Sequence, residues 1–139
     1  MSANLLIYTN AMDAENTYTT ALTSFDSNGW TMSNGTPCNA NNNSYVAWTW
    51  DAGSSTVSNT DGSITSSVRA NPSAGFSIVS YAGNGTAGAT VGHGLSAAPE
   101  LIIRKNLTDS QHWPVYTKAE GATNNKHTNK TYKNCNPCF

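Results

Sequence analysis

Cys135-Asn-Pro-Cys138 is the one spacing in this chain that matches a redox or zinc motif. A thioredoxin-like site sets C-x-x-C after a strand, at the start of a helix, and the surrounding Asn, Lys and Thr offer neither. A structural zinc needs four ligands, and Cys38 and His127 complete that number on paper only, because no second paired motif accompanies them. The spacing therefore reads as chance or as a local disulfide, with no metal site and no cofactor assigned.

The remaining polar candidates are the histidines and the acids. His93 lies in Val-Gly-His-Gly-Leu, where flanking glycines suggest a tight turn with the imidazole bonded to backbone. In a symmetric assembly, copies of one His would come together on an axis, which is the metal alternative at this position. The acids are Asp13, Glu15, Asp26, Asp51, Asp61, Glu100, Asp109 and Glu120. Most stand beside Asn, Ser or Gly, where a carboxylate caps its own turn. A glycosidase needs two carboxyls roughly 5–10 Å apart across a cleft, which spacing in sequence does not establish. Asp51 and Asp61 could alternatively hold calcium through carboxylate and carbonyl oxygens. G-x-S-x-G and H-E-x-x-H are both absent, and the glycine-rich stretch lacks G-x-x-x-x-G-K-[ST]. No catalytic residue is assigned.

The elements that would carry such residues read as strands. In Gly75–Lys105, Phe76, Ile78, Val79 and Tyr81 form one β-branched and aromatic run, and Leu101–Ile103 a second, wholly apolar one. Gly83, Gly85, Gly88, Gly92 and Gly94 lie between them, too many for a helix interior at about 1 kcal/mol each. A short strand around Ala89–Val91 is expected within that stretch. Ser44–Trp50, SYVAWTW, is a further strong strand, with Val46, Trp48 and Trp50 on one face. Those three read as core anchors, the alternative being an aromatic platform on which a sugar ring stacks. Leu5–Tyr8 reads as a first strand, Asn28-Gly29 as a tight turn, Gly62–Val68 as a polar edge strand and 112–116 as a short aromatic strand. Residues 52–61 read as a linker, and the chain beyond Thr117 shows no apolar periodicity.

Composition agrees. Of 139 residues, 37% are hydrophobic and only 11% charged, so backbone pairing and turns rather than charge networks must organise the fold. The net charge of −1 offers no attraction to phosphate backbones, which disfavours nucleic acid. No apolar run approaches the roughly eighteen residues of a membrane span, so no membrane insertion is expected. The N-terminal MSANLLIYTN shows no basic n-region, so no secretory signal is visible.

Three blocks carry a family resemblance: LTSFDSNGW with NNNSYVAWTWDAG, then VSNTDGSITSSVRANPSAGFSIVSYAGNGTAGATVGHGLSAAPELIIRKN, then WPVY. Over residues 5–118 the chain resembles the repeated β-modules of tail-fibre and other virion proteins of marine bacteriophages. These are similar in pattern to concanavalin-like (laminin-G or SPRY-like) jelly-roll sandwiches. The first block looks like a module's second half and the middle block like the first half of the next. The C-terminal KHTNKTYKNCNPCF departs from the pattern expected after WPVY.

The expected fold is thus all-β, an antiparallel jelly-roll-like sandwich over residues 1–118. It consists of two half-modules, about 1–51 and 62–118, joined by linker 52–61, with an irregular tail at 119–139. The halves either complete one another like a circular permutant or take strands from a partner chain. The resemblance implies a non-enzymatic module of the virion tail or surface, made in the host cytoplasm. The expected partners are other virion chains, a homotrimer among the assemblies allowed, and a cell-surface glycan. Asn84 and Trp113 are the candidate ligand contacts. A purely architectural module is the second expectation and a glycan hydrolase fragment the third.

Overall fold

A computed structural model describes residues 5–19, 21–34, 36–121 and 126–127. The chain divides into two units, one spanning residues 47–99 and the other joining 1–46 to 100–139. Both are built from antiparallel strands. The helical content among the described residues is one four-residue turn, α1 (Thr36–Asn39), and one 3-10 turn at Lys118–Glu120.

In the 47–99 unit, β5 (Thr56–Asn59), β6 (Ser66–Asn71) and β7 (Phe76–Tyr81) form one sheet in the order β5-β6-β7. Val68 pairs with Val57 on one side and Val79 on the other, putting β-branched residues opposite each other across the sheet. Period-two alternation turns Ser66 and Val68 to the same face, where they are 3% and 1% exposed. Ser66 satisfies its hydroxyl by donating to the Gly92 carbonyl at 3.3 Å. The β6–β7 turn is closed by Ala74 N–H donating to Asn71 O and Gly75 N–H to Pro72 O, with Gly75 at φ +65°. The glycine-rich stretch stays with this unit through Ile64 N–H to Thr90 O and through Ser63 and Thr90, each of whose backbone N–H donates to the other's hydroxyl.

In the other unit β1 (Leu5–Leu6) pairs with β2 (Asn16–Thr17), and β3 (Leu22–Asp26) with β4 (Gly29–Met32). A third sheet runs β8-β9-β10, from Leu101–Ile103 through Pro114–Thr117 to Lys126–His127. Two irregular segments are laced together beside it. Lys105 Nζ donates to the carbonyls of Met12, Asn106 and Gln111 at 3.1, 2.8 and 3.1 Å. Trp113 Nε1–H is shared between the carbonyls of Tyr8 and Ala11, and Glu15 N–H donates to Leu107 O.

Several expectations need correction. Gly62–Val68 was expected at a sheet edge, but its second half enters β6, the central strand of its sheet. Its serines cost little there because each backbone group is paired. Thr56–Asn59 is a strand where the composition suggested a linker, since the cross-strand partner rather than its own hydrophobicity holds it. Ala89–Val91 contributes a single parallel bridge, Ile64 to Val91, in place of a strand. The turn at Asn28-Gly29 joins β3 to β4 as expected, yet neither residue takes a positive φ. The largest correction concerns Ser44–Trp50: it is not in a strand, and Val46, Trp48 and Trp50 are 75%, 75% and 66% exposed.

Candidate functional site

Among the described residues the buried hydrophobics are Ala21, Ala52 and Val68, which leaves the large apolar side chains outside. Two stretches concentrate them. One is Val46–Trp50, whose backbone makes no hydrogen bond among the described residues. Trp50 lies against Phe76 of β7, ring centroids 5.9 Å apart and planes 12° from parallel, the offset stack that aromatic quadrupoles favour. Trp48, two residues earlier in the chain, is exposed and has no ring partner among the described residues. The other stretch is β8, where Leu101, Ile102 and Ile103 are all about half exposed and, among the described residues, only β9 is paired to the strand. The unbroken apolar sequence of β8 is the pattern of a segment covered on both faces, whereas Val46–Trp50 alternates and concentrates its large side chains on one face.

The candidate contacts fall in different units. Asn84 is exposed in the glycine-rich loop, and its Oδ1 accepts from Thr86 N–H at 3.0 Å. This Asx turn holds the side chain while leaving the amide NH2 available. Trp113 is half-buried and its N–H is already spent on Tyr8 and Ala11, so only ring carbons remain for a ligand. The more exposed indoles are Trp48 and Trp50, whose strand-like spacing pointed first to a core and only second to a sugar-stacking platform.

The other candidates resolve locally. His93 Nδ1 accepts from Leu95 N–H at 3.0 Å, the backbone-bonded turn expected of it. Asp51 accepts from Gly53 N–H and Asn71 Nδ2, Asp61 from Asn59 Nδ2, Asp109 from Asn106 Nδ2, and Asp26 from the hydroxyls of Ser24 and Thr31. Of these acids Asp51 caps its own turn, whereas at 59–61 and 106–109 the Asn59 and Asn106 Oδ1 atoms accept the backbone N–H groups and the carboxylates bind the Asn amides. Glu100 meets Lys118 at 3.2 Å in an open ion pair. No cluster of three His, Cys, Asp or Glu that could hold a metal occurs among the described residues. Cys38 is a free thiol, while Cys135, Cys138 and the His127 side chain lie outside the described residues. A shallow concavity of about 570 Å³ runs over β5–β7. Val57, Ser58, Ser67, Ser80 and Tyr81 are among the residues that line it.

A family model described as a domain of unknown function (DUF7483) matches residues 1–136. No curated protein and no solved structure matches the chain.

Proposed function

The chain belongs to the DUF7483 family, and from the geometry of its exposed strands we propose that it is a non-enzymatic virion module that works by assembling with other chains. The observation that carries this reading is the mismatch between strand-forming apolar sequence and burial. Trp48, Trp50, Leu101, Ile102 and Ile103 are exposed, while among the described residues Val68 alone of the larger apolar side chains is fully buried. A domain of this length ordinarily covers such residues, and an exposed apolar edge strand is a site of association. The resemblance of residues 5–118 to the repeated modules of phage tail fibres supports a setting in which neighbouring modules supply the cover. In that setting the small sheets are parts of a jelly-roll-like sandwich completed on assembly, and a homotrimer is one such assembly.

A second reading is adhesion to a cell-surface glycan. The Trp50–Phe76 stack, the exposed Trp48, the serine-rich concavity over β5–β7 and the amide NH2 of Asn84 favour it. Avidity from many copies would compensate for weak single contacts.

Light scattering on the purified chain, with circular dichroism on the same sample, tests the first reading. A β-rich oligomer is the expected result. A folded monomer that binds components of a glycan array would transfer the function to adhesion.

A further inference from the structure

We infer that Val46–Trp50 of one copy of this chain adds as a strand to the open edge of β8, Leu101–Ile103, in a second copy. The inference rests on the assembly reading above and names the partner and the two surfaces. Both halves of the pairing are on one molecule, and among the described residues both are unfilled. Val46–Trp50 has strand-favouring residues and a backbone with no hydrogen bond among the described residues. In β8, Ile102 and its neighbours are bonded to β9 on one side only. Backbone groups left open in a segment that must lose water on assembly need partners, and an edge strand is the partner that satisfies them in register.

Side chains and charge point the same way. Val46, Trp48 and Trp50 alternate with Ala47 and Thr49, so one face of the incoming strand is large and apolar, as are Leu101 and Ile103 on one face of β8. Residues 39–50 and Leu101–Ile103 contain no charged side chain, so neither has the edge lysine that commonly blocks such pairing. Each copy gives one strand and receives one. With both exchanges made in a closed pair, the apolar surface covered is on the order of 1,000 Å², near the lower bound for a stable interface. A second copy therefore suffices as the occupant, with no other protein required.

The test is disulfide trapping in full-length chains whose Cys38, Cys135 and Cys138 are replaced by serine. One set of chains has a single Cys at Ala47, Trp48 or Thr49, and the other has Ile102→Cys. Oxidising equal mixtures is expected to give a crosslinked pair at one of the three positions, because paired strands bring Cα atoms within disulfide reach. A matching Ser80→Cys chain on the outer strand β7 is expected to stay uncrosslinked. Ala47→Pro, which removes a backbone N–H that has no partner among the described residues, is expected to keep the circular dichroism spectrum and weaken self-association by roughly tenfold or more.

An oligomer that never crosslinks to Ile102 overturns this pairing and leaves the assembly reading standing. A monomer in which the Cys pair closes only within one double-variant chain overturns it in favour of the chain's own edge. A β-folded monomer with no crosslink overturns the pairing and the assembly reading together.

Discussion

At the scale of single residues, Gly53, Gly62, Gly92 and Gly94 each bring backbone close to a neighbour in the unit around β6, and Gly94 is the one that meets its buried valine. Gly94 has φ +69°, and a Cβ built there would stand 2.8 Å from Val68 Cγ1 and 3.3 Å from Ala70 Cβ. The left-handed backbone and the crowding act on the same position, and the neighbour that would have to move is the most buried side chain in the unit. Gly94→Ala is expected to cost about 1–3 kcal/mol, read as a lower urea midpoint with unchanged slope. Gly85 also has a positive φ, at +69°, but meets nothing within 4 Å. Gly85→Ala therefore tests the backbone strain alone and should cost less.

At the scale of elements, the segments 8–15 and 105–113 are held by polar lacing where apolar packing would ordinarily serve. The Lys105 ammonium takes three carbonyls, and the Trp113 indole N–H takes two more. Lys105→Met leaves those carbonyls without their charged donor and is expected to cost about 1–2 kcal/mol, discounted for partial exposure. Trp113→Phe keeps most of the ring and loses the N–H, for about 1 kcal/mol. Because Met12, Tyr8 and Ala11 belong to one segment, the two losses should not add. A double-mutant cycle should show a coupling of at least about 0.5 kcal/mol, with faster amide exchange at Glu15 as the local readout. Purely independent effects would mean that the segment is anchored elsewhere.

At the scale of the whole molecule, the prediction concerns salt. Charged residues are 11% of the sequence, and the surfaces proposed to pair have none. Self-association should therefore change little between low and moderate sodium chloride, since there is little for counterions to screen, and should strengthen in ammonium sulfate. A steep loss of oligomer with added sodium chloride would instead point to the open Glu100–Lys118 pair and other surface charges as the glue.

The sequence by itself determined the strand class and several elements. β7 and β8 match their apolar runs, β3 and β4 meet at the expected turn, and His93 makes the backbone bond that its flanking glycines suggested. Such features are local: side-chain branching, alternation and turn chemistry act within a few residues of one another. Only the tertiary structure decided which strand is central and which apolar face is covered. Gly62–Val68 looks like an edge by composition, yet its last three residues enter the middle strand because Val57 and Val79 flank Val68. Trp48 and Trp50 look like a core by spacing and are exposed because no described sheet pairs with their backbone. Periodicity records that a face must be buried, and the partner that buries it lies elsewhere in the chain or on another one.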